Sequence, residues 1–381
     1  MPHRSAAGNN ILLYASSEAD ADVLYATRFF CPDPFVFVRT ASGRRIYAMK
    51  DLEFDRARAT SNAHRVLRLS RYVARASERF GAAPAPGDII SEVLRDLGIR
   101  VVLVPSAFPS GVAEQLRRRG VRVRVAEGPL FPERARKSPA EVAAIRSAMR
   151  ATEAGMQAAV DLLRRARVRG GWVVVDGRRL TAEDIRRAAN REIFARGCVP
   201  AHTIVAPGRH GCDPHDEGSG PIRTGSPIII DIFPRSEKTG YFADITRTVV
   251  KGRAGARVRA MYDAVFAAQR GALRAIRPGA RARDIHQGVI AEFEKRGFPS
   301  GRAGGRMQGF FHGTGHGLGL EIHEAPGLAM TDAVLEAGMV VTVEPGLYYF
   351  PTGGVRIEDT VLVTRTGIRN LTRFPKFLEI P

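Results

Sequence analysis

Residues 227–231 read Pro227-Ile228-Ile229-Ile230-Asp231, and the chain returns as Ala243-Asp244-Ile245-Thr246-Arg247-Thr248. The first run is apolar and ends in a carboxylate, as a buried strand does when it stops at a polar site. The second alternates, so Asp244, Thr246 and Thr248 share one face. A turn rich in Pro, Ser, Lys and Gly joins them. An antiparallel hairpin of this kind can set Asp231 beside Asp244. Two carboxylates held together repel and raise each other's pKa, so they require a proton or a cation between them. Taken alone, the pair could equally cap the hairpin ends at the surface.

A second pair of segments has the same design. Met339-Val340-Val341-Thr342-Val343-Glu344 is apolar, ends in Glu and is stopped by Pro345-Gly346. Val355-Arg356-Ile357-Glu358-Asp359-Thr360 alternates, which points Arg356, Glu358 and Thr360 the same way. Burying a Glu at the end of a Val-rich strand is costly unless it is paired or bound to metal. Strands are therefore expected over 227–231, 243–250, 339–344 and 355–364. Helices are expected over 181–196, 255–276 and 281–296. Another opens at Ser138-Pro139-Ala140-Glu141, a capping box with Pro in the first turn, and runs toward Arg165. Helices mixed with largely antiparallel strands make residues 134–381 an α+β domain.

Seven of the nine histidines fall between positions 202 and 323. His312-Gly313-Thr314-Gly315-His316-Gly317-Leu318-Gly319 spaces two of them as a helical metal pair would, but its glycines exclude a helix. As extended chain it puts the glycines on one face and His312, Thr314 and His316 on the other. A bare glycine face implies close approach by another backbone or a substrate. Four carboxylates with an imidazole make an oxygen-rich site that suits Mn²⁺, Co²⁺, Fe²⁺ or Zn²⁺. Four carboxylates exceed what one divalent ion needs, so two ions roughly 3.5 Å apart are the natural count, with a bridging hydroxide as nucleophile.

The chain has 381 residues, long enough for about two domains. The first, residues 1–133, alternates strand-like runs (Ile11 to Tyr14, Phe35 to Val38, Val101 to Val104) with helical spacing over 61–80 and 88–98. It reads as a small α/β domain. Lys and Arg number 58 against 39 acidic residues, a formal balance of +19. Of these 58, 52 are Arg, spread over the whole chain, which fits a compositional bias better than one nucleic-acid groove. No apolar run approaches the 18 or so residues of a membrane span, and Cys31, Cys198 and Cys212 show no disulfide or zinc spacing. A cytoplasmic protein is expected, with neither membrane nor nucleic acid as a partner.

The order Asp, Asp, His, Glu, Glu resembles the metal set of the pita-bread metallopeptidases. The run from His312 through His323-Glu324-Ala325-Pro326, with Glu344-Pro345-Gly346-Leu347-Tyr348 and Arg356 to Thr360, is similar to the branch of Xaa-Pro aminopeptidases and Xaa-Pro dipeptidases. The resemblance implies a pita-bread catalytic domain behind a smaller creatinase-type α/β domain. It implies that two divalent ions, with Mn²⁺ the leading candidate, are held by Asp231, Asp244, His316, Glu344 and Glu358. It further implies that Glu344 acts as general base and His323 stabilises the oxyanion. His215 would contact substrate or leaving group, His312 would line the pocket, and Arg356 would pair with a substrate carboxylate or hold the pocket together. Xaa-Pro peptides would be the substrates, and a homodimer the assembly. A pita-bread hydrolase of another specificity and a non-enzymatic binding module are the alternatives. The sequence departs from the branch at Asp231-Ile232-Phe233-Pro234, where Gly is usual at the third place, in a slightly longer 231–244 hairpin, and at Arg209-His210-Gly211-Cys212-Asp213.

Overall fold

In the computed structural model, which describes residues 8–381, the chain divides into two compact units, one ending at Arg134 and one spanning Ala135–Pro381. The first unit is built on six strands: β1 (Ile11–Ala15), β2 (Phe35–Arg39), β3 (Arg45–Met49), β4 (Arg65–Arg68), β5 (Val101–Val104) and β6 (Arg122–Val125). Their order is β4-β3-β2-β1-β5-β6, antiparallel through β1, β2 and β3 and parallel toward both edges. Side chains alternate between two apolar layers. Leu12, Val36, Val38 and Ala48 enter one, and Ile11, Leu13, Phe35, Phe37 and Tyr47 enter the other. With both faces covered, this is an α/β layer structure.

Two expectations need correction here. Residues 65–68 form an edge strand, and the helix of that region begins only at Leu69. The other is β6, unread in the sequence: it is Arg-Val-Arg-Val with only Val123 buried, because it is an edge strand, and so it shows no apolar run.

In the second unit the helix Pro139–Arg165 begins at a capping box. The Ser138 amide donates to Glu141 Oε2 at 2.8 Å, and the Glu141 amide donates to Ser138 Oγ at 3.4 Å. Its apolar stripe, including Met149, Met156, Val160 and Leu163, packs on the first of two sheets. That sheet contains β7 (Ile204–Pro207), β8 (Pro227–Ile232) and β9 (Ile245–Lys251), paired antiparallel in that order. Asp231 lies opposite Ile204 on one side and Thr246 on the other.

The second sheet contains β10 (Gly315–Gly317), β11 (Glu324–Leu328), β12 (Val340–Val343), β15 (Asp359–Val363) and β16 (Ile368–Asn370), in the order β11-β10-β12-β15-β16. A separate hairpin joins β13 (Gly346–Tyr349) to β14 (Gly353–Arg356). The helices Ala256–Ala275 and Ala282–Lys295 cover this half through Val265, Ala268, Val289 and Phe293. The single strand expected over 355–364 is two strands, β14 and β15, broken at Ile357-Glu358. The break has a cause: the Glu358 amide leaves its own sheet and donates to Thr246 O on β9 at 3.0 Å. The two sheets are stitched together at that point.

The glycines between the histidines permit backbone contact. A Cβ at Gly315 would lie 2.0 Å from the Thr342 carbonyl oxygen, and one at Gly317 would lie 2.5 Å from that of Ala325. The expected alternation fails at one residue. Thr314 turns away from the two histidines and meets His286 Nδ1 at 2.9 Å, because regular strand geometry begins only at Gly315.

Candidate metal centre and active site

The seam between the sheets opens into a cleft of about 590 Å³, whose lining includes Asp231, Asp244, His316, Glu344 and Glu358. Asp231 closes β8, Asp244 precedes β9, His316 sits in β10, Glu344 follows β12 and Glu358 occupies the break between β14 and β15. The four carboxylates thus stand at or beside strands anchored by apolar residues, and His316 stands in a strand whose two glycines lie against neighbouring backbone.

Asp244, His316 and Glu358 can each offer a ligand atom within 4.8 Å of the others. His316 Nε2 is 3.4 Å from Glu344 Oε1 and 3.6 Å from Asp244 Oδ2. The other ring nitrogen, Nδ1, is 3.1 Å from Gly317 O, which accepts its hydrogen. That bond leaves Nε2 as a bare lone pair facing the carboxylates, the tautomer a metal ligand requires. Burial lowers the His316 pKa, which favours the neutral ring.

The carboxylates are short of partners. Glu358 Oε2 accepts from Thr246 Oγ1 at 2.8 Å, and Asp231 Oδ2 accepts from Arg356 Nη2 at 2.6 Å. Asp231 Oδ1, Asp244 Oδ1 and Glu358 Oε1 are buried with no hydrogen-bond partner. Burial and the neighbouring carboxylates push Asp244 and Glu358 well above the usual carboxylate range. Burial raises Glu344 to about 7, against the opposing pull of Arg356. Buried oxygens with raised proton affinity, grouped around a neutral imidazole nitrogen, suit divalent cations. The donor set therefore fits the expected metal.

A pH prediction follows from these shifts. A carboxylate whose folded pKa is raised holds its proton in the fold, so it destabilises the metal-free protein as pH climbs from the ordinary value of 4.5 to about 7 for Glu344. Metal displaces those protons, so Mn²⁺ affinity should tighten about tenfold per pH unit for each proton released. Calorimetric titration at pH 5.5 and 6.5 measures this. Equal affinities at both values would show that the cluster carries no proton before it binds.

Arg356 is buried and its guanidinium is engaged by the protein. It donates to Asp231, to Tyr348 Oη at 2.9 Å and to Pro214 O at 3.4 Å. Tyr348 Oη in turn lies 2.9 Å from His312 Nε2, while His312 Nδ1 lies 2.8 Å from Gly313 O. Both nitrogens of His312 are thus occupied, and burial drives its pKa down to about 3. Its ring lines the cleft without a free polar edge. His323 stacks edge-on against His316, with ring centroids 4.3 Å apart, and burial lowers its pKa. His215 is exposed at the cleft, its amide donating to Asp213 Oδ1 at 3.1 Å.

The structure adds residues that sequence reasoning gave no role. Tyr348, fully buried, links His312 to Arg356, and its phenol inside an apolar strand was the available signal. Arg247 and Asp359 form a buried ion pair at 3.0 Å directly behind Glu358. Phe233 and Phe311 face the cleft.

Residues 143–365 match the model for metallopeptidase family M24. The chain is 40% identical over 176 residues to the Xaa-Pro dipeptidase of Pyrococcus furiosus, covering 45% of this chain and 47% of that protein. It is 32% identical over 332 residues to Xaa-Pro aminopeptidase 1 of Streptomyces coelicolor, covering 79% of this chain and 64% of that protein. The matched stretches thus span from about half to just under two thirds of these relatives' lengths. Among solved structures, the Xaa-Pro dipeptidase from Bacillus anthracis superposes with a TM-score of 0.81 at 25% identity, over 98% of this chain and 95% of that one. The architecture is α+β and pita-bread, with a smaller unit in front. The chain belongs to metallopeptidase family M24.

Proposed function

We propose that this chain is a metallo-exopeptidase that cleaves the bond between an amino-terminal residue and proline, as an Xaa-Pro aminopeptidase or dipeptidase. The observation that carries this reading is the convergence of Asp244 and Glu358, each with an unpartnered buried oxygen, on His316 in an open cleft that Asp231 also lines. Asp231, Asp244, His316, Glu344 and Glu358 would hold two divalent ions, Mn²⁺ foremost, with Co²⁺ or Zn²⁺ also suited to these donors. Bound there, the ions supply Lewis acidity, making a water nucleophilic near neutral pH and polarising the scissile carbonyl.

The protein groups then have distinct tasks. Glu344, which follows β12 in the cleft, is assigned the role of general base. His323, which stacks against His316, is assigned the hydrogen bond that stabilises the developing oxyanion. Arg356 holds Asp231 and Tyr348 in place, so of its two expected roles we assign it the structural one. His215, exposed at the cleft, is assigned to the substrate. Cys31, Cys198 and Cys212 are all free thiols, which supports a reducing compartment such as the cytoplasm.

Incubating the purified chain with Mn²⁺ and either Ala-Pro or Ala-Pro-Ala-Ala tests this. Release of alanine from one or both is expected, with Ala-Ala-Ala-Ala left intact, and the ratio of the two rates separates dipeptidase from aminopeptidase. Failure to cleave either proline peptide would overturn the proposal.

A further inference from the structure

The sequence departs from its branch at residue 233, and the structure shows where that departure leads. Asp231 lies within β8 and Phe233 is the first residue after it, and both line the cleft. Ile230 and Ile232 are wholly buried in the core. Phe233 does not stand alone in the cleft. Ile204 lies opposite Asp231 on β7, and Phe311 packs against Tyr348 with ring centroids 5.3 Å apart. Phe233 and Phe311 both pack against the cluster of Ile204, Ala206, Ile229 and Tyr348. A continuous apolar wall thus adjoins the carboxylate cluster. A glycine at position 233 would remove one of its two phenylalanine rings.

We infer that Phe233, with Ile204 and Phe311, forms the pocket for the side chain of the residue preceding proline, and that this pocket selects a large apolar residue there. The inference rests on the peptidase reading above. An exopeptidase substrate carries a free α-ammonium group, which carboxylates attract. Asp231 and its neighbouring carboxylates border the apolar wall in the same cleft, two residues from Phe233. An amino terminus drawn to Asp231 sets the first side chain against the Phe233 ring. An aliphatic or aromatic side chain there leaves water for an apolar surface, whereas a charged one would lose hydration without a partner. Glycine would leave the wall uncovered.

The test compares kcat/KM for Leu-Pro-Ala, Gly-Pro-Ala and Glu-Pro-Ala in the parent protein, Phe233→Gly and Phe233→Leu, all loaded with Mn²⁺. The parent should favour Leu over Gly by about 10–100-fold and should disfavour Glu. Phe233→Gly should lower the Leu-to-Gly ratio about tenfold, and Phe233→Leu should retain most of it. Because the readout is a ratio between substrates on one protein preparation, partial misfolding does not move it. Should Phe233→Gly fail to fold, the parent ratio and that of Phe233→Leu still decide. A parent that prefers Gly or Glu, or a Leu-to-Gly ratio unchanged in Phe233→Gly, would overturn the inference while leaving the peptidase reading intact. A parent that cleaves none of the three peptides would overturn the peptidase reading, and this inference with it.

Discussion

Glu358→Gln should yield a protein that is more heat-stable than the parent without metal, yet has lost hydrolysis of Xaa-Pro peptides by about 10²–10³-fold or more. Both effects come from one carboxylate. Glu358 is 1% exposed, and its Oε1 has no partner while Oε2 accepts from Thr246. Burial, together with Glu344 and Asp231, raises its pKa well above the ordinary value, so above the ordinary carboxylate pKa the metal-free fold is destabilised by having to hold a proton there. Glutamine keeps the acceptor for Thr246 and removes the charge. Relief of that penalty should raise the melting temperature of the metal-free protein by several degrees. The same change removes a donor from the group it forms with Asp244 and His316, so the stabilisation given by Mn²⁺ should shrink. Thermal melts with and without Mn²⁺, beside a peptide assay, measure all three quantities. A lower metal-free melting temperature, or retained hydrolysis, would remove Glu358 from the proposed ligand set.

Asp359→Ala should have the largest effect on stability. Asp359 is 1% exposed and accepts from Arg247 at 3.0 Å, from Asn370 at 2.8 Å and from Lys376. Truncating it leaves the Arg247 guanidinium buried without a counter-charge, a change that costs about 3–5 kcal/mol. The melting temperature should fall by about 6–20 °C. The damage should also reach the site. Arg247 Nη1 donates to the carbonyls of Thr246 at 2.9 Å and Glu358 at 2.5 Å, so it holds the β14–β15 break against β9. Loss of that brace should weaken Mn²⁺ binding about 10–100-fold, as when support behind a ligand is removed. Urea unfolding and metal titration of the same variant measure the two effects. A stability loss below about 1 kcal/mol would show that Arg247 finds other partners.

What was legible in the sequence follows from what is local. The strand ending in Asp231 and the strand ending in Glu344 were readable because an apolar run that stops at a carboxylate needs no distant partner to be recognised. The helix start at Ser138 and the close backbone approach at Gly315 were readable for the same reason. The α+β, pita-bread class came from their combination with the His312 to His323 run. What was hidden depends on contacts made across the chain. The break at Glu358 exists because its amide is taken by Thr246, 112 residues away. The commitment of Arg356 to Asp231 and Tyr348 is set by β8 and β13, and no spacing around residue 356 announces it. Strands β4 and β6 of the first unit were obscured by arginines at exposed edge positions.

The arginine excess itself finds local uses. Arg196 pairs with Glu192 one helical turn away, Arg178 pairs with Asp184, and Trp172 is flanked by Arg179 and Arg223 at 4.3 and 4.2 Å. Within a chain of formal charge +19, the cleft reverses the sign by collecting five carboxylates, Asp213, Asp231, Asp244, Glu344 and Glu358, against Arg356. That local reversal suits the site to cations.

The most direct test is a Mn²⁺ titration of chelator-treated protein, with bound metal and cleavage of an Xaa-Pro peptide followed in the same samples. Cleavage should be absent without metal, rise with occupancy and level off at two ions per chain. Cleavage that survives complete metal removal, or a metal-saturated protein that leaves Xaa-Pro peptides intact, would contradict the account.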